Sequence, residues 1–128
     1  MRLTICLAAA AFAFATSTAI PAEAAKAPVF QLNQTTWLFT DSKGVKVRES
    51  IDAKGNYIAN SRAGKHLDHG TGVMKGEKAC FDSAMDKEGE VCWTTKPVEV
   101  GQSMTTTSDK GEKLKVTRVK YMPLKMPK

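Results

Sequence analysis

The chain has 128 residues and a formal net charge of +6 at pH 7, with three cysteines and two histidines. That length holds one compact domain and excludes a second core or a large multi-domain enzyme. A chain this small buries a modest apolar area, so a covalent cross-link would matter to its stability.

Taken in chain order, Met1-Arg2 supplies a basic start, residues 3–15 an apolar run without charge, and Ala22-Glu23-Ala24 a small-x-small triplet. This is the layout of a secretory signal peptide, and the run is too short to anchor the chain across a bilayer. The expectation is therefore an exported protein, periplasmic or secreted, with residues 1–24 removed and no transmembrane segment. Cys6 leaves with the leader, and it does not stand at a cleavage site after the apolar run, so it is not a lipidation site. Cys80 and Cys92 remain, and an even pair in an oxidising compartment reads as a disulfide. Closing that loop would stabilise the fold by roughly 3 kcal/mol on the chain-entropy model.

Beyond residue 24 helix signals are nearly absent. Apolar-polar alternations recur at short intervals between turn sequences, which is the all-β pattern. Expected strands are 36–40, 45–51, 56–60, 71–74, 78–83, 90–95, 102–107 and 112–121. The turns Asp41-Ser-Lys-Gly44, Asp52-Ala-Lys-Gly55, Asp86-Lys-Glu-Gly89 and Ser108-Asp-Lys-Gly111 share one chemistry. Asp or Ser opens a type I turn, and glycine closes it in the left-handed conformation with a bulge. Successive hairpins argue for an antiparallel up-and-down barrel of seven or eight strands spanning 35–121, with a sandwich as the alternative. Residues 25–34 read as a loose N-terminal segment and 122–128 as a loose basic tail. Leu114 and Val116 are out of phase with Val119 and Tyr121, so a bulge is expected near Thr117-Arg118. A tight hairpin at Asp86–Gly89 would not oppose Cys80 to Cys92, whose Cα atoms must come within about 7 Å. A wider loop, with 83–89 outside the ladder, is expected instead.

Two places in this framework carry chemistry. His66, Asp68 and His69 could offer two imidazoles and a carboxylate to a metal. The same residues, bounded by Gly64 and Gly70, also read as a polar loop over one end of the barrel, with His69 exposed. Glu49 shares a strand face with Val45, Val47 and Ile51, so strict alternation points it inward. A buried carboxylate needs a partner or a raised pKa. Arg118 could be that partner if the first and last strands are neighbours; a solvated rim position is the alternative. If Glu49 is buried beside Tyr57 or Trp93, a pocket for a small ligand follows.

Between residues 110 and 128 stand seven basic residues and one acid. Lys113, Lys115, Arg118 and Lys120 could meet an anionic surface, or simply solvate a strand. Nucleic acid is not an expected partner, since the basic run lacks interleaved aromatics apart from Tyr121. No nucleophile elbow, paired-carboxylate pattern or cofactor motif is present, so no cofactor is expected and the protein reads as a non-enzyme.

The run Gly70-Thr71-x-Val73-x-x-Gly76-x-x-x-Cys80, followed by Gly89-x-x-Cys92-Trp93, resembles a block of uncharacterised small exported bacterial β-proteins. That resemblance implies a disulfide-clipped barrel and no assigned chemistry. Lys75-Gly76-Glu77-Lys78-Ala79 is similar to the Lys-Gly-x-x-Ala segment of periplasmic C-type lysozyme inhibitors. Their preceding Ser-Gly-x-x-Tyr segment is altered here, with Ser61 apart from Gly64 and His66 in place of tyrosine, so only Lys75 carries over. Gly64-Lys-His66-Leu-Asp68-His69 is similar to part of the H-x-H-x-D-H run of metallo-β-lactamase-fold hydrolases, with glycine at the first histidine and no α/β pattern around it. The expected role is a binding module for a small ligand or envelope component. The alternatives are a lysozyme-inhibitor-like interaction module, in which Lys75 and the 61–69 segment project together, and a metal-binding protein.

Overall fold

A computed structural model describes residues 30–128. The signal-peptide reading of residues 1–24 and the first part of the 25–34 segment lie outside the described residues. Eight antiparallel strands follow: β1 (Thr35–Thr40), β2 (Lys46–Ile51), β3 (Asn56–Ser61), β4 (His66–Lys75), β5 (Lys78–Ser83), β6 (Val91–Thr94), β7 (Ser103–Thr107) and β8 (Lys113–Val119). Their order in the sheet is β6-β5-β4-β3-β2-β1-β8-β7, so first and last strands pair as a meander requires. The seam between β6 and β7 is drawn nearly shut. Trp93 bridges to Ser108, the Asp109 amide donates to the Cys92 carbonyl at 2.9 Å, and the Thr107 amide donates to Thr94 Oγ1 at 3.0 Å. The result is a nearly closed barrel, and closure spares it the long unpaired edges of an open sheet.

The turns form as their composition dictates. In Asp41–Gly44 the Gly44 amide donates to the Asp41 carbonyl at 3.0 Å, Gly44 has φ 82°, and Asp41 Oδ1 accepts from the Lys43 and Val45 amides. Asp52–Gly55 and Ser108–Gly111 repeat this pattern. A turn not foreseen, Ser61-Arg62-Ala63-Gly64, does the same between β3 and β4. Asp86–Gly89 does not close a ladder but lies in the wide connection from Ser83 to Val91. Cys80 and Cys92 therefore stand directly opposite, with Cα atoms 3.9 Å apart, joined by the disulfide.

Four expectations are corrected. β4 begins at His66 rather than Thr71, so the histidine segment is strand and not loop. Glycine is favoured in strands where backbone or rings approach closely. Here a Cβ on Gly70 would collide with the Asp82 carbonyl, and one on Gly72 would lie 2.9 Å from the Phe81 ring. Second, no bulge interrupts β8; its pairing with β1 and β7 runs without a break. The phase is kept because Arg118 itself turns inward after Leu114 and Val116. The register shift falls instead between Ala59 and Asn60, where β4 accommodates Leu67 as an extra residue. Third, Phe30 and Leu32 of the expected loose segment are core residues, Leu32 only 3% exposed. Fourth, the tail is pinned at 122–124. Thr36 Oγ1 receives the Met122 amide at 2.8 Å and donates to its carbonyl at 3.2 Å, and Ser50 Oγ receives the Leu124 amide at 2.9 Å. This covering buries Thr36 and Ser50 on the outside of the barrel.

Candidate ligand cavity

Strand direction separates the two ends of the barrel. One end carries the 52–55, 75–78 and 95–102 connections and the incoming N-terminal segment. There Phe30, Leu32, Trp37, Ile51 and Val98 form a packed plug. Phe30 meets Trp37 edge-on at 5.9 Å, and Trp37 Nε1 donates to the buried Thr35 hydroxyl at 2.8 Å, which fixes the indole across the barrel floor. Thr35 in turn donates to the Leu32 carbonyl. Arg118 belongs to this end. Its Nη1 donates to the Val98 carbonyl at 2.9 Å, its guanidinium lies 5.9 Å from the Phe30 ring centre, and its buried Nε has no hydrogen-bond partner.

The other end is open. Above the Trp37 floor lies a cavity of about 640 Å³, walled by Phe39, Phe81, Trp93 and Leu114 and reached between the 41–45, 84–90 and 108–112 connections. Inward alternation on β2 brings Glu49 into this cavity, flanked by Trp37 on β1 and Ala59 on β3. Ala59 in turn faces Asp68 on β4, so both carboxyls enter from neighbouring strands. Burial, and then the nearby Asp68 carboxylate, push the Glu49 carboxyl up to about 8. No described residue donates a hydrogen bond to it, and the residue keeps partial access to the cavity. Its oxygens are therefore enclosed by protein yet open to a cavity occupant.

Asp68 is held firmly. Its Oδ2 accepts from Tyr57 OH at 2.7 Å, and its Oδ1 accepts from Ser83 Oγ at 2.5 Å and from the His69 amide at 2.9 Å. Tyr57, buried edge-on against Phe81 at 5.3 Å, has its hydroxyl pKa raised, first by burial and then by its bond to Asp68. Ser83 Oγ also accepts from the Met85 and Asp86 amides, which fastens the start of the β5–β6 connection to the cavity wall.

The candidates read from the sequence are thus divided among separate places. Glu49 and Asp68 both line the cavity, a convergence the sequence did not show because the bulge at Leu67 sets the phase of β4. Tyr57 appeared only as a possible neighbour, and Ser83 gave no signal. Arg118 does not reach Glu49: it sits on the far side of Trp37, committed to Val98. For the same reason it leaves the outward basic stripe, which retains Lys113 and Lys115, with Lys120 exposed just beyond the strand. His66 and His69 face outward, their Nε2 and Nδ1 3.0 Å apart, with His66 Nδ1 at 3.0 Å from Asn60 Oδ1. Asp68, facing the lumen, does not converge with them. Among the described residues, Cys80, Glu90 and Cys92 do bring ligand atoms within 4.8 Å, but both sulfurs are taken by the disulfide. Lys75 pairs with Glu90 at 2.7 Å on the outer surface. It stands at the opposite end of β4 from the Ser61–Gly64 turn, so the two do not project together.

Comparison with protein-family models, with curated proteins and with solved structures yields no match.

Proposed function

We propose that the protein is a non-catalytic binding module that takes one small amphipathic molecule into the open half of its barrel. The supporting observation is the cavity itself: about 640 Å³, aromatic-walled, with the hydrogen-bond-free carboxyl of Glu49 at its depth. Small-molecule sites are commonly about 300–1,000 Å³, mostly apolar, with a few convergent polar groups. Eight strands give a lumen just wide enough for side chains or one small ligand. Here side chains fill one half and leave the other. The imidazoles lie outside the barrel, away from the Glu49 and Asp68 carboxyls. An exported location, suggested by residues 1–24 and consistent with the disulfide, would place the ligand in the cell envelope or medium.

Titration with the neutral fluorophore N-phenyl-1-naphthylamine tests this reading. Both tryptophans of the protein line the cavity, so occupancy should quench their emission and enhance that of the probe. Saturable one-to-one binding in the micromolar range, abolished by Leu114→Trp in a variant that keeps its thermal transition, is expected. Absence of saturable binding, or unchanged binding by that variant, would refute it.

A further inference from the structure

The distribution of charge around the cavity runs against that of the molecule. Six of the chain's thirteen acidic residues line it, against two of its nineteen basic ones, although the whole protein carries +6. Glu49 and Asp68 lie within. At the mouth stand Asp41 and Lys43 on the first turn, Asp86 and Glu88 on the β5–β6 connection, and Lys110 and Glu112 on the last turn. Lys110 is 3.6 Å from Glu88 at the exposed rim, so these two charges offset one another and the surplus rests on Glu49, Asp68, Asp41, Asp86 and Glu112 against Lys43. Low-dielectric walls lined by one sign of charge concentrate ions of the other sign.

Geometry adds direction to this field. Asp68 spends its oxygens on Tyr57, Ser83 and the His69 amide, whereas Glu49 receives no bond from any described residue and stays open to the cavity. Beside it are the indole of Trp37 on one strand and Ala59 on the next, a flat ring and a gap. An ammonium placed there would donate to a carboxylate and lie near aromatic rings, both of which favour a cation once water is excluded.

Building on the binding reading above, we infer that the cavity selects organic amines: a protonated N–H donor at Glu49 and an apolar body against Phe39, Phe81 and Trp93. Because burial and Asp68 keep Glu49 protonated near neutrality, entry of the ammonium ion expels that proton to solvent and leaves a carboxylate–ammonium pair. Charge is conserved: the cation enters and one proton leaves. Binding should therefore strengthen as pH rises from 6 towards 8, with Tyr57 remaining neutral throughout because its pKa is raised.

The test uses three matched probes on the full mature protein by titration calorimetry: 2-naphthylmethylamine, 2-naphthylmethanol and 2-naphthoate. The amine should bind about tenfold or more tightly than the alcohol, equivalent to about 1.4 kcal/mol, and the carboxylate should not bind. Its heat at pH 7 should vary with the ionisation enthalpy of the buffer, reporting proton release. Glu49→Gln should abolish the buffer dependence and remove most of the amine's advantage over the alcohol, leaving only the small share that the mouth acids supply, while Asp68 is left intact because it holds Tyr57 and Ser83. Equal affinity for amine and alcohol in the native protein, or an amine preference and buffer dependence undiminished in Glu49→Gln, would overturn the cation assignment while leaving the cavity reading standing. If none of the three binds, the amine assignment falls, and the cavity reading is decided by N-phenyl-1-naphthylamine.

Discussion

The two halves of this barrel are built on the same strands with the same alternation, yet they are filled on opposite principles. Towards the closed end the inward positions are Thr35, Trp37 and Ile51, sealed from below by Phe30, Leu32 and Val98. Towards the open end β2 continues with Glu49 and β4 with Asp68, and space is left unfilled. A fully packed lumen would gain burial energy and lose any capacity to hold a ligand. The contrast divides packing from open volume along the barrel axis: the plug holds the fold, and the unfilled half carries carboxyls that a packed core would not tolerate.

The largest losses of stability are expected at the closed end. Ile51 is fully buried, and Ile51→Ala should cost about 4 kcal/mol through lost burial and the cavity left behind, read from urea denaturation. Removing the cross-link with Cys80→Ala and Cys92→Ala together should cost about 3 kcal/mol. Since β6 has only four residues and forms one side of the seam, amide exchange should rise first in Val91–Thr94.

The open end should respond with the opposite sign. The Glu49 carboxyl moves from 4.5 to about 8 on folding, so the folded state holds its proton more tightly than the unfolded state. Its stability contribution is intact below pH 4.5 and lost as pH rises through about 8. Glu49→Gln has no proton to lose, so at pH 9 it should be more stable than the parent by about 2 kcal/mol, the full linkage value being reduced by water in the open cavity. At pH 4 the two should differ little. Denaturation at both pH values checks this, and a native protein stabilised by rising pH relative to the variant would contradict it.

The smallest effect concerns the outer face. Thr36→Val removes the hydroxyl that bonds both backbone groups of Met122, and should cost about 1 kcal/mol. It should also speed amide exchange at Met122 and Leu124 while leaving probe binding unchanged, since Thr36 does not line the cavity.

Much of the fold is legible locally. Asp41, Asp52 and Ser108, each three residues before a glycine, specify their turns through contacts within five residues, and the structure reproduces them. The alternation Val45-Val47-Glu49-Ile51 likewise puts Glu49 inside from β2 alone. The segment 61–70 reads as a loop for the converse reason. Its glycines and polar residues suit one, but Gly70, and Gly72 just beyond it, serve a strand that lies tightly against Asp82 and Phe81, residues twelve and nine positions further on. The disulfide register also depended on distance: Asp86 accepts from the Glu88 amide and Gly89 is left-handed, but no backbone turn bond joins Gly89 to Asp86, and Cys80 and Cys92 align because the whole 84–90 connection lies outside the ladder.

By itself, then, the sequence determined the all-β class, the meander, the disulfide pair, most turns and the inward aim of Glu49. Each of these rests on periodicity or on chemistry between near neighbours in the chain. The tertiary structure alone decided that Leu67 would be accommodated as an extra residue and turn Asp68 inward, that Arg118 would face the plug rather than Glu49, and that the histidines would lie outside. It also decided that acids from three separate connections would ring one mouth. Those outcomes depend on strand register and barrel closure, which are fixed by packing across the sheet rather than by any single segment.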